Sequence, residues 1–119
     1  QLIALHAGGK LNQFLPETLT DPGVHADNHR HELQLQAADS VLGDKSGAVV
    51  SSHRQAVENA GDMRVVATAS DGVIEAIDDP GRPFYLGVQW HPERGPDPDP
   101  SGLNQGLFDR LVRASARAT

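Results

Sequence analysis

Two side chains near the C-terminal end have the types and spacing to share a proton. His91 and Glu93 flank Pro92 in the run Gly87-Val88-Gln89-Trp90-His91-Pro92-Glu93. On an extended backbone, residues i and i+2 lie on one face, so the imidazole and the carboxylate would stand side by side. Pro92 lacks an N–H and has a fixed φ, so it ends a sheet ladder and holds His91 extended. An imidazole oriented by a carboxylate is the base and orienter of a nucleophilic triad. The nucleophile is not in this run. The plain alternative is a structural strand end.

A second candidate stretch is Ser51-Ser52-His53-Arg54-Gln55. Ala48-Val49-Val50-Ser51 reads as a buried strand that delivers Ser52, His53 and Arg54 at its carboxyl end. In open parallel α/β sheets that end is where ligands bind. Arg54 could present a bidentate fork to a substrate carboxylate, or it could face solvent. His25, Asp27, His29 and His31 are also clustered. Imidazoles with a carboxylate suit zinc, but this spacing matches neither a helical ligand pair nor a finger. They read as polar loop residues, and no metal is expected. Glu75 lies in a strand and reads as structural and solvated.

The elements that position these residues follow from periodicity. Residues 1–8 read as helix, with Leu2, Ile3 and Leu5 on its buried side and Gly8-Gly9 at its end. Residues 10–16 read as a turn. His31 to Gln36 alternates with period two and reads as a half-buried strand. Gln55 to Asn59 reads as a brief helical turn. Arg64 to Ser70 and Val73 to Ile77 read as an antiparallel hairpin around a two-residue type I′ turn at Asp71-Gly72. Phe84 to Trp90 is the strand that carries His91. A closing helix over 102–117, capped by Ser101, has a Leu103, Leu107, Phe108, Leu111, Val112 stripe to pack on the sheet. The predicted class is α/β, with a mostly parallel sheet flanked by helices and one antiparallel hairpin.

Composition narrows the function. With 119 residues the chain is at most one domain. Its net charge of −6 argues against nucleic-acid binding and fits an ordinary cytoplasmic protein. There is no Cys, which excludes a disulfide framework. No apolar run is long enough to span a membrane, and there is no signal-peptide pattern. The chain opens on Gln1 without a helix cap or an initiator Met, so residues 1–119 are expected to be the C-terminal portion of a longer domain.

Three stretches together resemble a known family. The run 87–93 resembles the closing motif of class I glutamine amidotransferase domains. Ser51-Ser52-His53-Arg54-Gln55 resembles the S-x-H-H-Q segment of the γ-glutamyl-γ-aminobutyrate hydrolase branch, the peptidase C26 group. Asp71-Gly72-Val73-Ile74-Glu75-Ala76 resembles that branch's D-G-x-I-E-A hairpin. The sequence departs from the branch at Val50, where Asn is usual, and at Arg54, where His is usual. The resemblance implies a flavodoxin-like domain of which this chain is the C-terminal half. It implies a catalytic Cys on a G-x-C-x-G-x-Q elbow of which Gln1 is the last residue. It assigns His91 and Glu93 to a Cys-His-Glu triad, and Gln1, Ser52, His53 and Arg54 to substrate binding. His31 matches a position where the family often has His, structural or at the pocket edge.

The function this implies is hydrolysis of γ-glutamyl amides through a γ-glutamyl thioester. No cofactor is expected. The expected partners are a small γ-glutamyl substrate and the N-terminal half of the same domain, with a homodimer left open and no nucleic acid or membrane. Two alternatives stand beside it. One is a glutaminase domain that delivers ammonia to a synthase partner. The other is a non-catalytic binding domain or pseudoenzyme. The 119 residues alone lack the nucleophile.

Overall fold

In a computed structural model of the chain, the described residues are 1–12, 29–36, 47–53, 55–82, 84–94 and 102–118. Helix α1 (Leu2–His6) leads into β1 (Lys10–Asn12). The next strands are β2 (His29–Leu35), β3 (Ala48–Ser51), β4 (Ala56–Asn59), β5 (Arg64–Ala69), β6 (Ile74–Asp78) and β7 (Leu86–Val88). A 3-10 turn (Pro92–Arg94) and helix α2 (Leu103–Ala118) close the chain.

The strands form a seven-stranded sheet in the order β1-β4-β6-β5-β2-β3, with β7 also paired to β6. Among the described strands every pair is antiparallel, which corrects the expectation of a mostly parallel sheet. The physical reason is connection length. A parallel pair needs a crossover of about a dozen residues or more. The sequential pairs β5–β6 and β6–β7 are joined only by the short segments 70–73 and 79–85. Strand β2 is shared between two partners. Its first part, from His29 to Glu32, pairs with β3, and Leu33 to Leu35 pairs with β5.

The β5–β6 hairpin forms as expected, but its turn differs. Ala69 N–H donates to the Val73 carbonyl at 2.9 Å, and Gly72 N–H donates to the Ala69 carbonyl at 3.0 Å. The loop is therefore three residues, Ser70-Asp71-Gly72, rather than two. Gly72 has φ +87°, the left-handed position that ends such a loop. Asp71 Oδ1 accepts from Val73 N–H at 3.1 Å and reinforces it.

Two expected turns are strands instead. Leu11 and Asn12 pair with Val57 and Ala56, so the segments read as turns at 10–16 and 55–59 contain β1 and β4. Val57 and Ala56 are buried by this pairing. Their short apolar pattern fits a strand as well as one helical turn, and the tertiary partner decides.

The sheet has two apolar faces. On one, Leu33, Val49, Val66, Ala76 and Trp90 pack with Leu103 and Leu107 of α2. On the other, Val57, Ala60 and Ile77 pack with Ala4, and Ile3 of α1 joins them. Val66 and Val65, like Ala76 and Ile77, alternate between the faces as the pleat requires. Burying Leu103 and Leu107 contributes about 1.5–3 kcal/mol each. The helix surfaces depart from expectation. In α1 it is Ala4 that is fully buried, while Leu2 and Leu5 are exposed. In α2, Phe108, Leu111 and Val112 are exposed too, so only the first two turns of the stripe meet the sheet. Gly87 explains how α1 sits so close. A Cβ there would fall 2.6 Å from Ile3 Cδ1, so the missing side chain lets Ile3 lie against β7. Residues 13–28, 37–46, 54, 83, 95–101 and 119 lie outside the described residues, and with them the expected Ser101 cap.

Candidate active site

The strand expected from Phe84 to Trp90 is only Leu86–Val88. Gln89 N–H still donates to the Glu75 carbonyl of β6 at 2.7 Å, and beyond it the backbone turns toward β3. His91 N–H donates to the Val50 carbonyl at 2.9 Å. Trp90 is buried, and its Nε1–H donates to Asn104 Oδ1 of α2 at 3.0 Å. A buried indole N–H needs such a partner. His91 is thus held from both sides, by β3 through its own backbone and by α2 through its neighbour. Asn104 was not singled out from the sequence. A polar residue inside an apolar helix stripe, between Leu103 and Leu107, is the signal that could have found it.

His91 and Glu93 do meet, but not on an extended backbone. Pro92 begins a 3-10 turn, closed by Arg94 N–H donating to the His91 carbonyl at 3.0 Å. Proline at the first helical position suits its fixed φ and missing donor. The turn brings His91 Nδ1 to 3.1 Å from Glu93 Oε1. A carboxylate at Nδ1 orients the ring and leaves Nε2 as the nitrogen that can take up a proton. The pair is accessible, with side-chain exposures of 33% for His91 and 55% for Glu93.

Gln1, Ser52, His53 and His91 line one open cleft, together with Gln55, Val88, Gln89 and Trp90. Its volume of about 550 Å³ falls in the range of small-molecule sites. A second crevice beside Gln1, Glu75 and Gln89 has about 10 Å³, room for no more than a water. The cleft is the place for a substrate on size alone. Four of the six residues expected at the site therefore converge on it. Glu93 reaches it through His91. Arg54 lies outside the described residues. So do His25 and Asp27 of the histidine cluster.

Glu75 contradicts its reading as a solvated strand residue. It is 1% exposed. Its Oε1 lies 3.4 Å from His31 Nε2 and 3.5 Å from His53 Nε2. The imidazoles are fixed from their other sides. His53 Nδ1 is 2.8 Å from the Gln55 carbonyl, and His31 Nδ1 is 3.2 Å from that of Glu32. His31 Nε2 is also 2.7 Å from Ser51 Oγ. His31 therefore stands behind the cleft rather than on it.

The fold has solved counterparts. The structure of a provisionally named GMP synthase subunit from Thermoplasma acidophilum superposes with a TM-score of 0.74 at 17% identity, covering 99% of this chain and 54% of that one. A glutamine amidotransferase from Methylobacillus flagellatus gives 0.64 at 13% identity, covering 96% of this chain and 59% of that one. The architecture is that of class I glutamine amidotransferase domains. Within that class, a family model described as Peptidase C26 matches residues 1–93, and the chain belongs to this family. It is 38% identical over 122 residues to a provisionally named glutamine amidotransferase of Mycobacterium tuberculosis, covering 98% of this chain and 38% of that protein. It is 34% identical over 128 residues to the γ-glutamyl-γ-aminobutyrate hydrolase of Escherichia coli, covering 96% of this chain and 50% of that one. The chain spans half or less of the length of both relatives. Among the described residues, no helix is long and apolar enough to cross a membrane.

Proposed function

We propose that residues 1–119 are the C-terminal portion of a cytoplasmic, cysteine-dependent hydrolase of γ-glutamyl amides. The observation that carries this reading is the His91–Glu93 pair at 3.1 Å on the rim of a cleft that Gln1, Ser52 and His53 also line. The chain has no Cys, so the thiol comes from a preceding segment of the same domain. His91 Nε2 takes the thiol proton, and the thiolate adds to the γ-carbonyl of the substrate. The tetrahedral intermediate expels the amine, which leaves with the proton from His91, and a γ-glutamyl thioester remains. Water attacks the thioester with His91 again accepting a proton, and glutamate and the thiol are released. Glu93 keeps the Nδ1 proton in place and stabilises the imidazolium that forms twice per cycle. Gln1, Ser52, His53 and Arg54 hold the substrate's amino-acid end.

A second reading keeps the same chemistry and changes the fate of the amine. The chain is 27% identical over 123 residues to a CTP synthase of Synechococcus, covering 94% of this chain and 20% of that protein. That similarity supports a glutaminase domain that passes ammonia to a synthase. The two readings separate on substrate. The complete protein, assayed alone, should release γ-aminobutyrate from its γ-glutamyl amide faster than it releases ammonia from glutamine. Glutamine as the sole substrate, with turnover only beside a synthase, would favour the second reading.

A further inference from the structure

The reaction proposed above makes no use of the most deeply buried charge-bearing side chain beside the cleft. Glu75 sits on β6 with its carboxylate enclosed, and both nearby imidazoles turn the same nitrogen toward it. The tautomers follow from the other contacts. A backbone carbonyl only accepts, so the 2.8 Å contact with Gln55 puts a proton on His53 Nδ1. The Glu32 carbonyl does the same for His31 Nδ1 at 3.2 Å. Nε2 of each ring faces Glu75 Oε1 at 3.4–3.5 Å, and that of His31 also has Ser51 Oγ at 2.7 Å. Such a contact is attractive only when a proton lies between the two atoms. The carboxyl, the two rings and the Ser51 hydroxyl therefore form one buried polar cluster.

This unit has a defined place in the fold. His31 is on β2, Ser51 ends β3, Glu75 is on β6, and His53 belongs to the segment that leaves β3 for β4. His53 is itself 9% exposed, yet it borders the cleft beside Ser52 and His91. Through its two ring nitrogens it links the Gln55 backbone to Glu75. We propose that Glu75 is a positioning residue for the substrate cleft: it holds His53, and through His53 the neighbouring cleft residues Ser52 and Gln55, in the binding geometry. This rests on the reading of the cleft as a γ-glutamyl site. Glu75 touches no reacting atom, so its loss acts on binding and spares the chemical step.

The test uses the complete protein that contains this chain, with γ-glutamyl-γ-aminobutyrate as substrate. Glu75→Ala should raise KM about tenfold or more and leave kcat within about threefold, because a loosened wall misplaces substrate without removing a reacting group. Glu75→Gln should restore KM to within about threefold of the wild type, since its amide N–H can donate to Nε2 of His53. An unchanged KM in Glu75→Ala, or a loss confined to kcat, overturns the proposal. A second readout needs neither turnover nor a folded alanine variant. Imidazole ¹⁵N spectra of the wild type should show His53 protonated at Nδ1, and Glu75→Gln should shift both ring Nε2 signals. A His53 bare at Nδ1, or ring signals indifferent to Glu75→Gln, overturns it. A wild type that hydrolyses no γ-glutamyl amide counts against the proposed reaction, and the spectra then decide on Glu75 separately.

Discussion

The backbone N–H of His91 donates to the carbonyl of Val50 at 2.9 Å. That bond joins the turn after β7 to the strand that leads into Ser52 and His53. The candidate base and the candidate binding wall come from distant parts of the chain, and they meet because β7 ends early. A longer β7 would have kept His91 on the sheet beside β6. The 3-10 turn at Pro92 then supplies what an extended chain was expected to supply, Glu93 at Nδ1 of His91.

Glu93 orients the ring from a half-exposed position, so water can stand in for part of its effect. In the complete protein, Glu93→Gln should lower kcat about 10- to 100-fold and leave KM nearly unchanged, because the amide can present its N–H to Nδ1 and favour the wrong tautomer. Steady-state kinetics on a γ-glutamyl amide measures this. A kcat within twofold of the wild type would remove Glu93 from the mechanism.

Asn104 has a structural role that bears on the site. Its Oδ1 accepts the Trp90 indole N–H, and both residues are buried. Asn104→Leu leaves that donor without its partner, which costs about 1–3 kcal/mol. The denaturant midpoint should fall accordingly, and activity should fall with it if Trp90 holds His91 in place. A midpoint equal to the wild type would show that the Trp90–Asn104 bond contributes nothing.

Two glycines separate steric exclusion from backbone strain. A Cβ on Gly9 would fall 2.0 Å from the Asn59 carbonyl oxygen and 2.9 Å from that of Ala4. Both are backbone atoms, and Asn59 is paired to Lys10 in the sheet. At Gly72 a Cβ would meet nothing within 4 Å, and only the positive φ opposes it. Gly72→Ala should cost about 1 kcal/mol. Gly9→Ala should cost about 2 kcal/mol or more, as overpacking against backbone does. Equilibrium unfolding ranks the two variants, and the reverse order would contradict the packing of α1 and β1 on β4.

Much of this was legible in the sequence, and the exceptions share a cause. The β5–β6 hairpin, strand β3 and helix α2 announce themselves through local patterns: a Gly at a turn, an apolar run, an i+4 stripe. Gln1, Ser52, His53 and His91 stand out by motif, and they line one cleft. Strands β1 and β4 are too short to carry a period of their own and exist because they pair with each other. Strand glutamates are usually solvated, and nothing local to Glu75 reveals that His31 and His53 enclose it. The antiparallel pairing was hidden for the same reason. Alternation says which residues face inward and does not name the neighbouring strand.

The most direct test of the account is the turnover of γ-glutamyl-γ-aminobutyrate by the complete protein with His91 replaced by Ala. Removing the only base proposed for both proton transfers should reduce kcat/KM by about 10³-fold or more, with the variant still folded by circular dichroism. Turnover within tenfold of the wild type would contradict the assignment of His91 and, with it, the proposed reaction.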